Sequence, residues 1–169
     1  MNNTHEFPDS HATHHVLAVY ALGGNAATIN AAYGTQIAFQ REAIPSPEPI
    51  TKHNWKEHLQ DEKYVSLHSH TLALPHSSSS RYYQAYLAFF TVELRTKGPA
   101  AVLQDYIFSK DANFLPAEGK TERPSMYNRF MSGILHPMIH CGYGAEFGLL
   151  GMWAEGTFQK FAIGVSVNF

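Results

Sequence analysis

Glycine and proline residues divide this sequence into segments, and most of those segments carry the apolar spacing of an amphipathic helix. Residues 10–22 show this spacing and stop at Gly23 and Gly24, and residues 25–40 show it again, so the two segments predict an α-hairpin. Strand-like alternation is found only in residues 161–169. The sequence therefore predicts an all-α fold, an irregular helical bundle.

The middle of the chain contains one strong helical pattern. Residues 43–54 hold three prolines and predict an extended connector, which a short amphipathic segment at 54–74 follows. Residues 81–97 then predict a longer helix, with Ser79 or Ser80 as its cap. The side chains expected to face inward are Tyr82, Tyr86, Phe89, Phe90 and Leu94.

The helical pattern continues after residue 97. Gly98 suits the end of the preceding helix, and Pro99 suits the first position of the next. Residues 110–125 predict a surface loop. Residues 126–152 predict a helix with a local break at Pro137, because proline has no backbone N–H to donate.

Length, charge and cysteine content exclude several classes of protein. The 169 residues suffice for a single domain, and the 12 Lys and Arg residues are scattered, so neither nucleic acid nor an anionic membrane is expected as a partner. The single cysteine, Cys141, excludes an internal disulfide, and the polar start of the chain predicts a cytoplasmic protein. No apolar run reaches the roughly 20 residues that a membrane span needs.

Histidine spacing is the main functional signal. Among 11 histidines, His11 and His15 lie four positions apart, and His136 and His140 repeat that spacing on a second predicted helix. Side chains four apart on a helix share one face, and imidazole is the commonest side-chain ligand of transition metals. The two pairs therefore indicate a metal site, and four imidazoles suit iron, zinc or copper.

Structural roles for the same histidines stay open. His11 and His15 could cap a helix or bond to nearby carbonyls, and His136 could be the N-cap of a helix that starts at Pro137. In that case His136 need not converge with His140. If the helix instead passes through Pro137 with a kink, the two side chains can still converge.

Other chemistries find less support in the sequence. The segment LGGNAA at residues 22–27 is not a GxGxxG motif and follows no strand, so no dinucleotide-binding or flavin-binding fold is predicted. Cys141 lies in an apolar segment and is expected to be a packed residue rather than a nucleophile. Glu146 is better suited to orienting an imidazole or pairing with a tyrosine than to binding metal.

Four stretches together resemble the questin oxidase-like family. They are HATHHVLAVYALGG, NWKEHL, YYQAYLAFFTVELRTKGPAAVLQDYIF and MSGILHPMIHCGYGAEF, and they follow in order within residues 9–155. The resemblance implies an oxidoreductase of aromatic-polyketide secondary metabolism that opens an anthraquinone ring. It implies either a Baeyer–Villiger-type oxygen insertion with NADPH or a non-haem iron dioxygenase reaction.

The resemblance also implies which residues form the site. The positions that match the histidine motifs of the family are His11, His15, His136 and His140. Iron would be held by these histidines and by a carboxylated lysine. Because family members are longer, the chain is expected to be the N-terminal part of a larger helical enzyme, with that lysine beyond Phe169 and a divergent tail at residues 156–169.

Three functional hypotheses follow. The first is an iron-dependent oxidoreductase that takes O2 and a flat aromatic polyketide. The expected walls of its substrate site are Tyr20, Phe89, Tyr127 and Tyr143. The second is a non-catalytic helical fragment with structural or zinc-binding histidines. Whichever of these holds, the exposed apolar faces of a shortened bundle would favour a homo-oligomer. The third is a cofactor-free oxygenase with a histidine base, whose activity would survive a chelator.

Overall fold

The computed structural model describes residues 11–37, 45–59, 81–132 and 135–158. These residues form helices and turns, with no strand among them, so the described chain is all-α as predicted. Contacts divide the chain into two compact units, Met1–Ala43 and Ile44–Phe169, and the expectation of one domain stays a prediction. The strand-like segment at 161–169 lies outside the described residues.

The first unit contains the predicted helical hairpin. α1 is His11–Ala21 and α2 is Ala26–Ile37. The chain turns between them at Gly23, whose φ of 81° is one that glycine adopts without strain. Asn25 caps α2, since its Oδ1 accepts the backbone N–H of Thr28 at 3.0 Å. The predicted extension of this helix to residue 40 lies outside the described residues.

The second unit holds the remaining described helices. They are α3 (Tyr83–Lys97), α4 (Pro99–Leu103), α5 (Lys110–Phe114), α6 (Met126–Phe130), α7 (His136–Phe147) and α8 (Leu150–Phe158). α3 ends at Gly98 and α4 opens with Pro99, both as predicted. A π-helical segment, Gln104–Phe108, continues α4. None of the described helices has the length and hydropathy that a membrane span requires.

The predicted start of α3 is wrong. Its N-cap is Tyr82 rather than Ser79 or Ser80, and Tyr82 forms no capping hydrogen bond through its side chain. The ring of Tyr82 is buried and stacks on His58, with 4.1 Å between the ring centroids. A packed aromatic ring therefore lies at the start of this helix, where the sequence predicted a capping hydrogen bond to a serine hydroxyl.

Two predictions for the later part of the chain are also wrong. Residues 110–114, expected in a loop, form α5 because the Ser109 hydroxyl accepts a backbone N–H of the first turn at 3.0 Å. The single helix expected over 126–152 is instead divided into α6, α7 and the start of α8. α6 ends at Phe130, α7 begins at His136, and the left-handed φ of 66° at Gly148 ends α7.

Aromatic rings form the core of the second unit. Phe90 meets Tyr106 edge to face at 5.3 Å and lies parallel to Phe158 at 6.4 Å. Trp55 joins this core from residues 52–59, which form successive turns at the start of the predicted amphipathic segment. The remainder of that segment, from residue 60, lies outside the described residues.

Two glycines allow α7 and α8 to pack closely and antiparallel. A Cβ at Gly144 would lie 2.7 Å from the Trp153 ring, and a Cβ at Gly156 would lie 2.6 Å from the carbonyl oxygen of Pro137. Both distances are shorter than any van der Waals contact, so a side chain at either position would force the helices apart. This close contact fixes the register between α7 and α8.

Leu135→Gly is expected to be about 1 kcal/mol more stable than Leu135→Ala, because a left-handed conformation strains any residue with a Cβ. Leu135 has a φ of 62° immediately before α7 and is 41% exposed, so little packing is lost in either variant. Thermal unfolding of the two variants measures the difference. A lower melting temperature for the glycine variant would contradict this explanation.

Candidate metal and substrate site

Each predicted histidine pair lies on a single helix. His11 and His15 lie on α1, and His136 and His140 lie on α7. A spacing of four residues in a helix brings the Cβ atoms of each pair to roughly 5–6 Å. The alternative in which His136 is the N-cap is wrong, since Leu135 is the N-cap and His136 is the first residue of α7.

Pro137 does not interrupt the helix that carries the second pair. It occupies the first turn of α7, where no N–H is needed for an intrahelical bond, and the alternative of a helix that passes through Pro137 with a kink is wrong. His136 and His140 are therefore one turn apart in the same helix.

The first pair belongs to the helical hairpin. The His15 side chain is half-buried, and its Nδ1 lies 3.3 Å from Nε2 of Gln36 on α2. Gln36 thus connects this imidazole to the second helix of the hairpin. The side chain of His11 lies outside the described set, so its contacts stay a prediction.

Among the histidines of the two pairs whose side chains the structure describes, His140 is the most enclosed. Its side chain is 0% exposed, and its Nδ1 lies 3.7 Å from Oε2 of Glu155 on α8. The other carboxylate oxygen, Oε1, accepts a hydrogen bond from the Tyr83 hydroxyl on α3 at 3.0 Å. Three helices therefore contribute to the surroundings of one buried imidazole.

The carboxylate beside His140 was not predicted. Glu146, which the sequence suggested for this role, is exposed on α7, and Glu155 on the next helix takes the position instead. The available signal was an acidic residue within the apolar stretch 150–158, whose burial requires a polar partner.

Cys141 is buried next to His140, as expected for a packed residue. Burial raises the pKa of its thiol to about 12, and a hydrogen bond with Thr157 offsets only part of that increase. Because the thiolate is the nucleophilic form, this cysteine is inert at neutral pH.

Among the described side chains, no three or more His, Cys, Asp or Glu residues form a group that could hold a metal ion. The side chain of His11 is not among those described. The four-histidine metal site and its iron therefore stay a prediction.

Comparison with known proteins now identifies the family. The family model described as Questin oxidase-like matches residues 9–70 and 66–160. The chain belongs to this family. The resemblance inferred from the four sequence stretches is thereby confirmed.

Relatives of this questin oxidase-like chain include named fungal enzymes. The chain is 30% identical over 150 residues to the Baeyer–Villiger oxidase ptaJ of Pestalotiopsis fici, covering 89% of this chain and 29% of that protein. It is 30% identical over 155 residues to the questin oxidase of Aspergillus terreus, with the same coverage of 89% and 29%. It is 30% identical over 138 residues to the oxidoreductase AflY of Aspergillus parasiticus, covering 82% of this chain and 23% of that protein.

The chain spans less than a third of the length of these questin oxidase-like relatives. No solved structure matches it. The relatives support an oxidoreductase at the level of the family.

The four aromatic residues predicted as substrate walls lie in different surroundings. Tyr20 is 59% exposed on α1 of the first unit. In the second unit Phe89 is buried edge-on against Phe90 and Tyr106, and Tyr143 stacks on Phe147. Their role as substrate walls stays a prediction.

Tyr127, one of the predicted wall residues, borders a cavity. Its ring centroid lies 6.1 Å from that of Phe108. The cavity has a volume of about 270 Å³. Its lining residues are Phe108, Asn113, Phe114, Ser125, Tyr127 and Asn128. Three aromatic side chains with amide and hydroxyl groups around them can accept a flat ring that carries polar substituents.

A second buried carboxylate stabilises the core of this unit. Glu93 is 4% exposed, and its carboxylate accepts a hydrogen bond from Tyr106 at 2.7 Å and pairs with Lys97 at 2.9 Å and Lys52 at 3.3 Å. Burial raises the pKa of Glu93, but hydrogen bonds from Lys97, Tyr106 and Lys52 outweigh it, so the net pKa lies below its ordinary value.

Glu93→Gln is expected to lower the free energy of unfolding by about 1–3 kcal/mol at pH 7, because it removes charge-assisted hydrogen bonds. A lowered folded-state pKa stabilises the protein above the pKa of the unfolded chain, about 4.3, and this stabilisation is lost as the pH falls through the folded value. The free energies of unfolding of the wild type and of Glu93→Gln, measured with denaturant, should therefore differ less near pH 3 than at pH 7. Glu118→Gln, at an exposed position, is the control, and a difference independent of pH would contradict the assignment.

Proposed function

We propose that this protein is an oxidoreductase of secondary metabolism that opens a ring of an anthraquinone-like aromatic polyketide with O2. In this proposal His11, His15, His136 and His140 bind a non-haem iron ion. The observation that carries the proposal is the buried His140 imidazole with a carboxylate at its Nδ1 side, in a chain that belongs to the questin oxidase-like family.

The donor set fits a transition metal. A histidine that ligates a metal through one ring nitrogen commonly has a carboxylate at the other, which orients the ring and raises its basicity. Glu155 has this relation to Nδ1 of His140, so the metal would take Nε2. His136, one turn earlier on α7, would supply the second imidazole from the same helix face.

The iron would supply electron exchange with O2. In a Baeyer–Villiger-type reaction one oxygen atom enters a C–C bond next to a carbonyl, and the other leaves as water with two electrons from NADPH. In a dioxygenase reaction both oxygen atoms enter the product, and no external reductant is consumed. A requirement for NADPH therefore distinguishes the two forms of this proposal.

The protein would hold the flat substrate between aromatic faces and exclude water from the reacting ring. Tyr127 and the cavity it borders support this role, since stacking and nearby amide groups suit a hydroxylated quinone. Tyr20, Phe89 and Tyr143 are retained in the proposal as further wall residues.

The proposal is tested with the iron-loaded chain, questin as the trial quinone and O2, with and without NADPH. We expect loss of the quinone chromophore and a product heavier by one or two oxygen atoms, with O2 uptake in proportion. His136→Ala should abolish the reaction, whereas His53→Ala, an exposed histidine outside the proposed site, should leave it unchanged. Product formation that survives removal of all metal by a chelator would favour the cofactor-free oxygenase and contradict the iron site.

A second candidate function is a non-catalytic helical protein with structural or zinc-binding histidines. The observation that favours it is the contact of His15 with Gln36 on the neighbouring helix, with 3.3 Å between Nδ1 and Nε2, since such a contact can serve helix packing alone. This candidate predicts tightly bound zinc, or no metal, together with no O2 uptake. One bound iron ion with O2-dependent loss of the quinone would exclude it.

A further inference from the structure

The surroundings of His140 include a buried carboxylate, which packing alone would not require. Glu155 is a carboxylate at 9% exposure, and burying a charge of this kind is costly unless specific partners compensate. One of its oxygens accepts the Tyr83 hydroxyl at 3.0 Å, and the other lies 3.7 Å from Nδ1 of His140. The carboxylate therefore lies between a tyrosine on α3 and an imidazole on α7.

This arrangement discriminates between the two neutral forms of the imidazole. A ring nitrogen without a proton presents a lone pair, which the nearby carboxylate oxygen repels, whereas an N–H is attracted to it. At 3.7 Å the Glu155 oxygen is beyond hydrogen-bond length, but it remains close enough in a buried site to favour a proton on Nδ1. The unprotonated nitrogen is then Nε2, and a metal binds a neutral imidazole through its unprotonated nitrogen.

The position of Glu155 is fixed from two sides. Tyr83 holds Oε1 by a hydrogen bond from α3, and the Tyr83 ring itself meets Phe158 of α8 edge to face at 5.0 Å. The next residue, Gly156, lies so close to α7 that its Cβ position is 2.7 Å from Sγ of Cys141, the neighbour of His140. The carboxylate consequently cannot move along or away from α7 without disturbing both contacts.

We propose that Glu155, held in place by Tyr83, is a positioning residue that selects the Nδ1–H form of His140 and so presents Nε2 to the metal. This inference rests on the proposed function for the identity of the metal ligand. Its first consequence, the tautomer of His140, belongs to the metal-free protein and can be measured independently of any reaction.

The tautomer is read from nitrogen NMR spectra of the full chain labelled with 15N-histidine and freed of metal. The His140 signals are identified by their loss in His140→Gln. We expect Nδ1 to show the shift of a protonated nitrogen and Nε2 that of an unprotonated one. In Glu155→Gln the population should move towards the Nε2–H form, and Tyr83→Phe should produce a smaller change in the same direction.

The other buried carboxylate provides matched controls. Glu93→Gln and Tyr106→Phe remove the same chemical groups from the Glu93–Tyr106 pair, and both should leave the His140 tautomer unchanged. A merely structural role of Glu155 would lower stability but would not move the proton from one ring nitrogen to the other. An Nε2–H form in the wild type, or no change in Glu155→Gln, would overturn the inference.

Metal binding separates this inference from the proposed function. With Co2+ as a spectroscopic probe, Glu155→Gln should weaken binding by about 10- to 100-fold relative to the wild type, as expected for loss of an outer-shell partner. Equal affinity in the two proteins would overturn the positioning role while leaving the metal site intact. A wild-type protein with the expected tautomer but no metal binding would overturn the proposed function and with it the ligand role of His140.

Discussion

His136→Ala is expected to lower the affinity of the chain for Fe2+ by more than about 100-fold, because a direct ligand should cost more than the 10- to 100-fold typical of an outer-shell partner. His136 is suited to this test because its side chain is only half-buried, and its removal leaves the core contacts of α7 in place. Iron analysis after desalting, with titration of the metal-free protein, measures the change. His53→Ala is the matched control, as it removes an exposed histidine outside both pairs.

His15→Ala tests whether the first unit contributes to the same iron site. If both pairs bind one ion, His15→Ala should cause a similar loss of iron, although it lies on a different unit of the chain. The double variant should then bind little less than either single variant, since residues of one site do not contribute additively. Retention of one tightly bound ion by His136→Ala would contradict a shared site.

Gly156→Ala is expected to have the largest effect on stability, a loss of about 3 kcal/mol or more in the free energy of unfolding. The new methyl group would meet backbone atoms on α7, 2.6 Å from the Pro137 oxygen and 2.8 Å from the Cys141 nitrogen, and neither can yield without shifting the helix. Urea unfolding followed by circular dichroism measures the change. If the variant does not fold, its circular dichroism spectrum without urea shows the loss of helix directly.

A glycine on the other side of the same helix pair provides the control. Gly142 lies on α7 with no atom within 4 Å of its Cβ position. Gly142→Ala should therefore be neutral or stabilising by up to about 1 kcal/mol, since alanine is the better helix former. Equal destabilisation by both substitutions would show that the close contact between α7 and α8 is not the cause.

Helices with clear stop signals could be predicted from the sequence. Gly23 and Gly98 take left-handed φ angles, and each ends a helix where the pattern placed its end. These boundaries depend on the conformational freedom of one residue, which is a local property. The helical hairpin of α1 and α2 and the start of α4 at Pro99 were predictable for the same reason.

Boundaries that depend on tertiary packing could not be predicted. Leu135 adopts a left-handed conformation that leucine rarely takes, and nothing in its local sequence signals this. The N-cap of α3 is Tyr82, whose ring is buried against His58, a residue 24 positions earlier in the sequence.

The histidines of the candidate site could be predicted from the sequence, but the residues around His140 could not. The spacing of His136 and His140 indicates a shared helix face, which α7 confirms. Glu155 lies beside His140 and accepts a hydrogen bond from Tyr83, so the three residues come from three helices, and no spacing rule in a single segment connects them. A charged residue in an apolar helix indicates that a partner exists, but not which one.

The most direct test of the account is X-ray absorption spectroscopy of the iron-loaded chain, in which multiple scattering from imidazole rings counts the histidine ligands. We expect four imidazoles around one iron ion, two from α1 and two from α7. A count of two or fewer, unchanged in His15→Ala, would show that α1 contributes nothing to the site and would contradict the shared metal centre.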